Sequence, residues 1–495
     1  MDHDEISLSG KSNLEATPTA SNDNTLVMEK NQWQETVVDD TPTIKSNPAA
    51  SEGDSAAAPT SKFTFHQKIT FLSVALTSLS TWSTYSVIAV FFPTEAAAKG
   101  MSPTVVGLVF SSFSVASGIS APIFGKVLPL FGARFVFLAG AFVTGGCNLL
   151  FGFLENMAPG ATFTAFCFAI RTLEGLGSSA CNTASGAIIS FTFPENVGAA
   201  MSLLECVIGM SFAIGPAMGG LIYNAGGFKL PFFVLGGLVL VCFAINYFLM
   251  PDHASEHEES GSMVQVLKIP AIWVLLLFLC TSTVGFSSMD PVLSPHLQQL
   301  GYGVVGRSLT FAAFGAFYAF SAIPLGYIVD KKGCTRTLMV LGAFGTVIGF
   351  LLLGPSPLLN ITPSVVLIGV VLPFIAIMLA MMTIPTLPDM LITAKWYGVP
   401  DNLGLIGIVS GLWNAVMSFG AMLGPIVSGT LTDHYGFEYF TTVIASWFVV
   451  VMLIGCFFGV WEYRCGKGRR LPKEGVGVKA SSTEEEKVLL LSEEA

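Results

Sequence analysis

GPAMGGLIYNAGGF, residues 215–228, returns as GPIVSGTLTDHYGF at residues 424–437, and the reading of that pair decides the fold. Gly215, Pro216, Gly220, Gly227 and Phe228 match Gly424, Pro425, Gly429, Gly436 and Phe437, each pair 209 positions apart, as from Gly215 to Gly424. A second pair keeps the same order: GKVLPLFG (125–132) is echoed by GYIVDKKG (326–333). Two matched segments in one order mark an internal duplication. Gly-Pro inside a helix removes a backbone hydrogen bond and permits a bend, while small residues let helices approach closely. Gly326, Asp330, Lys331 and Gly333 form a tight turn whose charges can bridge to adjacent helices in one state and release in another. Two repeats rocking about a shared midplane site is the alternating-access arrangement.

Outward from the repeat, the chain is apolar beyond what water tolerates. Charged residues are 11% of the 495, where soluble proteins carry about a quarter, and mean hydropathy is +0.68. Stretches of about 20 apolar residues, each able to cross ~30 Å of hydrocarbon, fall near 68–92, 102–124, 134–154, 162–186, 198–220, 230–250, 270–290, 305–329, 336–354, 363–388, 402–426 and 438–461. The expected fold is therefore an all-α membrane protein of twelve transmembrane helices in two pseudo-symmetric six-helix bundles. Residues 1–62 read as a disordered cytosolic tail, 63–250 as the first bundle, and 251–269 as a cytosolic linker. Residues 270–461 read as the second bundle and 462–495 as a second cytosolic tail.

Charge fixes the expected orientation. With both termini cytosolic, Lys62, Lys68, Lys126, Arg134, Lys268, Lys331, Lys332, Arg336, Lys395 and the Arg464–Lys473 cluster share the cytosolic side. Only Lys99, Lys229 and Arg307 fall opposite, which satisfies the positive-inside rule. The net charge of −10 comes mostly from the first 62 residues, which hold eleven acids against four lysines. No basic footprint for nucleic acid is present. Seven of the nine cysteines (Cys147, Cys167, Cys181, Cys206, Cys242, Cys280 and Cys456) lie in apolar runs, with no metal or disulfide spacing. No P-loop separates the spans and no histidine lies at mid-span, so neither ATP-driven transport nor a membrane enzyme is expected. No cofactor is implied. The sequon at Asn360 falls in a loop so short that we read it as chance.

Ionisable groups at mid-membrane cost roughly 3 kcal/mol or more, so each needs a reason. Arg171 and Glu174, three apart on one helix, share a face and can pair, either to bolster the bundle or to set the proton affinity of Glu174. Glu205 has no basic neighbour on its helix; it reads as a proton carrier or amine ligand, or as a residue near a helix end. Asp290, before Pro291 near the end of the seventh span, is either aimed inward by the opened backbone or a helix-terminus acid. Asp389, after Pro385 and Pro388, reads as structural. Trp82, Tyr85, Tyr318 and Trp413 are candidates for cation–π contact with a cation.

Over 68–461 the chain resembles the major facilitator superfamily. The likeness rests on the loop segments at 125–132 and 326–333, on R-T-L-E-G-L-G (171–177), and on Gly-Pro-x-x-Gly-Gly at 215–220, which looks like the mark of proton-coupled antiporters. The first loop copy has Pro129 and Leu130 where Asp and Arg would stand, which leaves Asp330 as the gating acid. V-G-L-V-F within 105–110, F-F-P (91–93) and M-D-P-V-L (289–293) are similar to runs in the vesicular amine transporter family. In that family the monoamine and acetylcholine carriers have an acid, a lysine and an acid where this chain has Thr81, Phe113 and Asn414. Glu174, Glu205 and Asp389 appear in exchange, a pattern most similar to the vesicular polyamine transporter branch. The resemblance implies a proton-coupled antiporter moving polyamines or related organic cations into acidic vesicles. Its substrate and proton-coupling residues would be Glu205, Glu174, Arg171, Asp290 and Asn414. Other solutes (a drug-like cation or a monocarboxylate) and a sensor that binds without translocating remain as alternatives.

The second tail carries one more signal. Glu485 with Leu489 and Leu490 fits an acidic dileucine sorting motif, which implies clathrin-adaptor partners and delivery to secretory vesicles or endolysosomes.

Overall fold

The computed structural model describes residues 64–193, 197–250, 263–332, 334–357, 359, 364–399 and 403–464. They form fifteen α-helices and one 3-10 turn, with no strand among the described residues. The first half comprises α1 (Phe65–Ala98), α2 (Pro103–Phe131), α3 (Ala133–Phe153), α4 (Ala161–Thr192), α5 (Val197–Gly226) and α6 (Lys229–Leu249). After the short α7 (Met263–Leu267) come α8 (Pro270–Ser287), α9 (Leu293–Gln299), α10 (Val304–Lys332) and α11 (Thr335–Leu353). The chain continues through α12 (Val365–Thr383), α13 (Thr386–Trp396), α14 (Leu403–Tyr435) and α15 (Phe437–Arg464).

Eleven stretches are long and apolar enough to cross a membrane, with Val366–Trp396 counting α12 and α13 as one. The twelfth crossing is α4, whose 32 residues reach about 48 Å at 1.5 Å per residue. It fails the apolar test because Arg171, Glu174, Ser178, Ser179 and Ser185 line its inner face, all buried. Two crossings are accompanied by a helix break. The seventh is apolar over Pro270–Ser287, close to the expected end; the chain then turns over 288–292, where the Asp290-Pro291 pair lies, and resumes as the short helix α9. The tenth is bent at Ile384-Pro385, where the missing proline N–H interrupts the helix.

Helix pairing repeats between halves. In the first half α1 packs on α5 and α6, α2 on α4, and α3 on α4 and α6. In the second, α8 packs on α14 and α15, α10 on α12, and α11 on α12 and α15. Two broad seams, α2 against α14 and α5 against α10, join the halves.

The duplicated segment explains itself in this frame. A methyl group added to Gly215 would fall 2.8 Å from the Ser83 carbonyl oxygen of α1, and one on Gly424 would fall 2.8 Å from the Val284 carbonyl oxygen of α8. Only glycine permits that approach. Above each glycine a serine crosses between the same helices: Ser86 Oγ donates to the Ser211 carbonyl (3.1 Å), and Ser287 Oγ donates to the Gly420 carbonyl (3.4 Å). Pro216 and Pro425 follow within unbroken helices, and Gly227 and Gly436 end those helices in the left-handed region, φ 73° and 88°. Phe228 and Phe437 then turn back into the core.

The third conserved position of the repeat serves the seams. Gly220 receives Ser308 of α10, and Gly429 receives α2 so closely that the Gly107 Cα lies 3.3 Å from where a methyl would stand. Gly107 in turn packs on the Pro425 carbonyl, and Ser111 Oγ donates to the Met422 carbonyl at 2.7 Å. These contacts cluster at the end of the molecule carrying the α1–α2 and α5–α6 turns. Along α5 toward its start the seam loosens: Gly209 has only the Ala319 methyl as neighbour, 3.8 Å away, and beyond it Glu205, Cys206 and Ile323 are exposed. The halves are closed at one end and parted at the other.

Candidate functional site

The inner face of α4 carries an ion pair. Arg171 Nη1 donates to Glu174 Oε2 at 2.7 Å with both side chains buried, as the three-residue spacing predicts. The other Glu174 oxygen accepts from Asn148 Nδ2 of α3 at 2.9 Å. Arg171 Nε and Nη2 have no acceptor among the described residues. The guanidinium instead lies over aromatic faces: Phe113 at 4.5 Å from the ring centroid, Tyr85 at 5.6 Å and Phe110 at 5.9 Å. A buried arginine holding one carboxylate and two vacant donors can exchange partners without leaving its place.

Such a second partner faces it across the bundle boundary. Asp290, buried at the α8–α9 break, is within electrostatic reach of Arg171, and the Tyr85 hydroxyl faces its carboxyl. The break puts Asp290 there: its N–H bonds back to the Ser287 carbonyl (3.2 Å), and Pro291 has no N–H to continue the helix. A narrow cavity lined by Tyr85, Phe212, Phe286, Phe311 and Phe314 surrounds Asp290, with Pro216 at its edge. The rings form a connected wall, Tyr85–Phe212 at 6.2 Å, Phe212–Phe286 at 5.3 Å and Phe286–Phe314 at 5.0 Å between centroids. One carboxylate in an aromatic box suits an organic cation, through charge and π-faces together.

The other expected site residues lie apart from this cluster. Glu205, the ninth residue of α5, is exposed on the parted side, within electrostatic reach of Tyr318 of α10. Asn414 is exposed on α14, its amide spent on the Ser410 carbonyl one turn back (3.1 Å). Tyr318 reaches the cavity wall by packing on Phe286 (5.5 Å), Trp82 packs on Tyr85 (5.8 Å), and Trp413 donates to Thr386 Oγ1 at 2.9 Å. Asp389 is buried and paired with Arg336 at 3.0 Å. The tight turn expected from Gly326 onward is instead the last two turns of α10, which runs to Lys332; Gly326 faces open space there and Lys331 lies over the Tyr327 ring at 4.6 Å. The Asp330 side chain, Gly333, Asn360 and the sorting residues Glu485, Leu489 and Leu490 lie outside the described residues.

Two residues escaped the sequence reading. Asn148 was legible as a polar residue in the apolar run GGCNLLFGF (145–153), a signal of inward function in a membrane helix. Arg307, which the charge pattern places among surface charges, is instead 5% exposed and bonded between helices.

The comparisons agree with this architecture. The Major Facilitator Superfamily profile matches residues 71–399. The chain is 34% identical to MFS-type transporter SLC18B1 of Mus musculus over 444 residues, covering 89% of this chain and 95% of that one. It is 33% identical to MFS-type transporter SLC18B1 of Homo sapiens over 432 residues, covering 86% and 93%. The synaptic vesicular amine transporter of Homo sapiens is 24% identical over 368 residues, covering 71% and 66%. Among solved structures, a bacterial homologue of the human lysosomal transporter Spinster superposes with a TM-score of 0.65 at 13% identity, covering 81% and 98%. The nucleoside transporter NupG gives 0.61 at 12%, covering 79% and 99%. Sequence kinship, the twelve crossings and the paired seams agree: the chain is a multi-pass transporter rather than an enzyme, and it belongs to the Major Facilitator Superfamily alongside SLC18B1 and the vesicular amine transporters.

Proposed function

We propose that this transporter is a proton-driven exchanger that loads polyamines or related organic cations into acidic vesicles. The observation that carries the reading is the buried constellation of Asp290 inside an aromatic box, facing an Arg171–Glu174 pair with spare donors. Kinship to proteins named as vesicular amine transporters supports the substrate class. With both termini cytosolic, as the lysine and arginine distribution favours, the parted end opens to the cytosol. A cation enters past Glu205 and is held by Asp290 against the rings. When the opposite end opens to an acidic lumen, protons neutralise the carboxylates and the cation leaves. Arg171, released from one carboxylate, is held by the other, so the site is never left with a bare charge. The Gly-Pro pairs at Gly215-Pro216 and Gly424-Pro425 supply the bends on which the halves rock, and Asp330 with Lys331 latches the cytosolic end. The dileucine tail at Glu485, Leu489 and Leu490 supplies the vesicular address through clathrin adaptors.

The test is uptake by the purified full chain in liposomes with an acidic interior, using labelled spermine and a labelled monoamine. Accumulation that collapses with the pH gradient supports the reading. No accumulation of either amine, or competition by monocarboxylates instead of amines, sinks the substrate assignment.

A further inference from the structure

Arg307 is the second deeply buried arginine, and its surroundings differ from those of Arg171. It lies in the first turn of α10, near the closed end, and no carboxylate stands within ion-pair distance of it among the described residues. Its partners are hydroxyls and an amide. Nη1 donates to Thr94 Oγ1 of α1 at 2.6 Å, to Ser294 Oγ of α9 at 3.2 Å and to Gln298 Oε1 of α9 at 3.5 Å. Ser294 Oγ itself donates to the Val90 carbonyl of α1 at 2.5 Å. The bonds to Thr94 and Val90 both cross from the second half of the molecule to the first. Val90 and Thr94 flank Pro93, the proline inside α1, so the polar knot is tied at a bend. Leu293, next to Ser294, lines the cavity around Asp290. The knot therefore closes the cavity on the side where the seams are tight.

We propose that Arg307 is the latch holding this end of the transporter shut, with α9 as the arm joining it to the Asp290 break. The choice of partners suits a latch. Neutral partners are the simpler ones to release, since no carboxylate is left bare when the bonds break. Hydroxyl partners give charge-assisted bonds that water can replace once the end opens and the guanidinium is hydrated. The unpartnered Nε leaves part of its hydrogen-bonding capacity unmet while the latch is shut, which keeps the closed state from being over-stabilised. The inference does not depend on which solute is carried.

The test uses the full chain in lipid nanodiscs, in a background lacking exposed native cysteines, with two pairs of spin labels. Ala98→Cys with Tyr435→Cys spans the halves at the closed end; Lys126→Cys with Tyr397→Cys spans them at the parted end. All four positions are exposed. Arg307→Ala is expected to raise the long-distance population of the first pair about tenfold, the weight of one hydrogen bond to a charged group, while the second pair shortens. Arg307→Lys, which keeps a charge but fewer donors, should give an intermediate population. Thr94→Val should open the same end partially and add little to Arg307→Ala, because both remove one contact. Unchanged distributions overturn the latch. So does broadening of both pairs together, which signals a loosened fold instead of a released end. If Arg307→Ala does not fold, Thr94→Val and Arg307→Lys decide the matter: closed-end distances identical to the parent in both overturn it.

Discussion

The two halves share their hinges and seams but not their charges. In the first half, α4 buries Arg171 and Glu174 as a fixed pair on an unbroken helix. In the second, the α12–α13 crossing occupies the matching place and carries its buried acid, Asp389, beyond the Pro385 bend and paired with Arg336 of the neighbouring helix, while a further carboxylate, Asp290, sits at the break between α8 and α9. Duplication thus preserved the Gly-Pro segments and the glycine contacts, while the charges diverged. One half holds a compensated pair that can stay put. The other adds a carboxylate at a helix break to a pair of its own.

That contrast can be broken experimentally. The largest effect should come from Glu174→Leu, which strands a buried arginine and should cost roughly 3–5 kcal/mol of stability, read by thermal unfolding in detergent. Adding Arg171→Met should recover most of that loss without restoring transport. If the double variant is no more stable than the single, the pair is not the compensated unit described. Asp290→Asn should behave oppositely: unfolding temperature nearly unchanged, and gradient-driven uptake lower by roughly a hundredfold, the scale for deleting a buried charged contact. Full uptake by that variant would remove Asp290 from the site.

The seams offer a finer comparison. Gly107→Ala presses a methyl against the Pro425 backbone carbonyl, whereas Gly209→Ala places one 3.8 Å from the Ala319 methyl, an ordinary contact. The first should cost about 1–3 kcal/mol and the second clearly less, measured as the shift in unfolding midpoint. Equal costs would mean that the two seams yield alike. The smallest effect belongs to Glu205→Gln. An exposed carboxylate at the mouth guides a cation without holding it, so KM should rise about threefold with kcat preserved, the scale of an exposed charge contact. A collapse of kcat would move Glu205 into the inner site.

The architecture was readable because a duplicated segment and twelve apolar runs are local patterns. Gly215 and Gly220 each answer to a separate contact and Gly227 to a left-handed backbone, and their spacing survived in the second copy. The pairing of Arg171 with Glu174 was readable for the same reason, since three residues on a helix define one face. What sequence could not supply is which faces meet. Asp290 reads either as aimed inward or as a helix-end acid, and nothing local decides between them, because its burial depends on the helices that face the 288–292 break. Glu205 reads as a carrier or as a residue near a helix end, and its exposure depends on which helices flank α5, which no local pattern encodes. Arg307 looked like a loop charge because its acceptors, Thr94 and Ser294, lie in other helices.

The backbone-to-backbone packing of Gly107 and Gly429 has a consequence for bioenergetics. Under the proton-driven exchange proposed above, the gradient must not be short-circuited, and a file of water through a gap between helices would do so. Where main chain rests on main chain there is neither room for such a file nor a side chain to relay a proton. The smallest residues in the sequence therefore serve as the insulator.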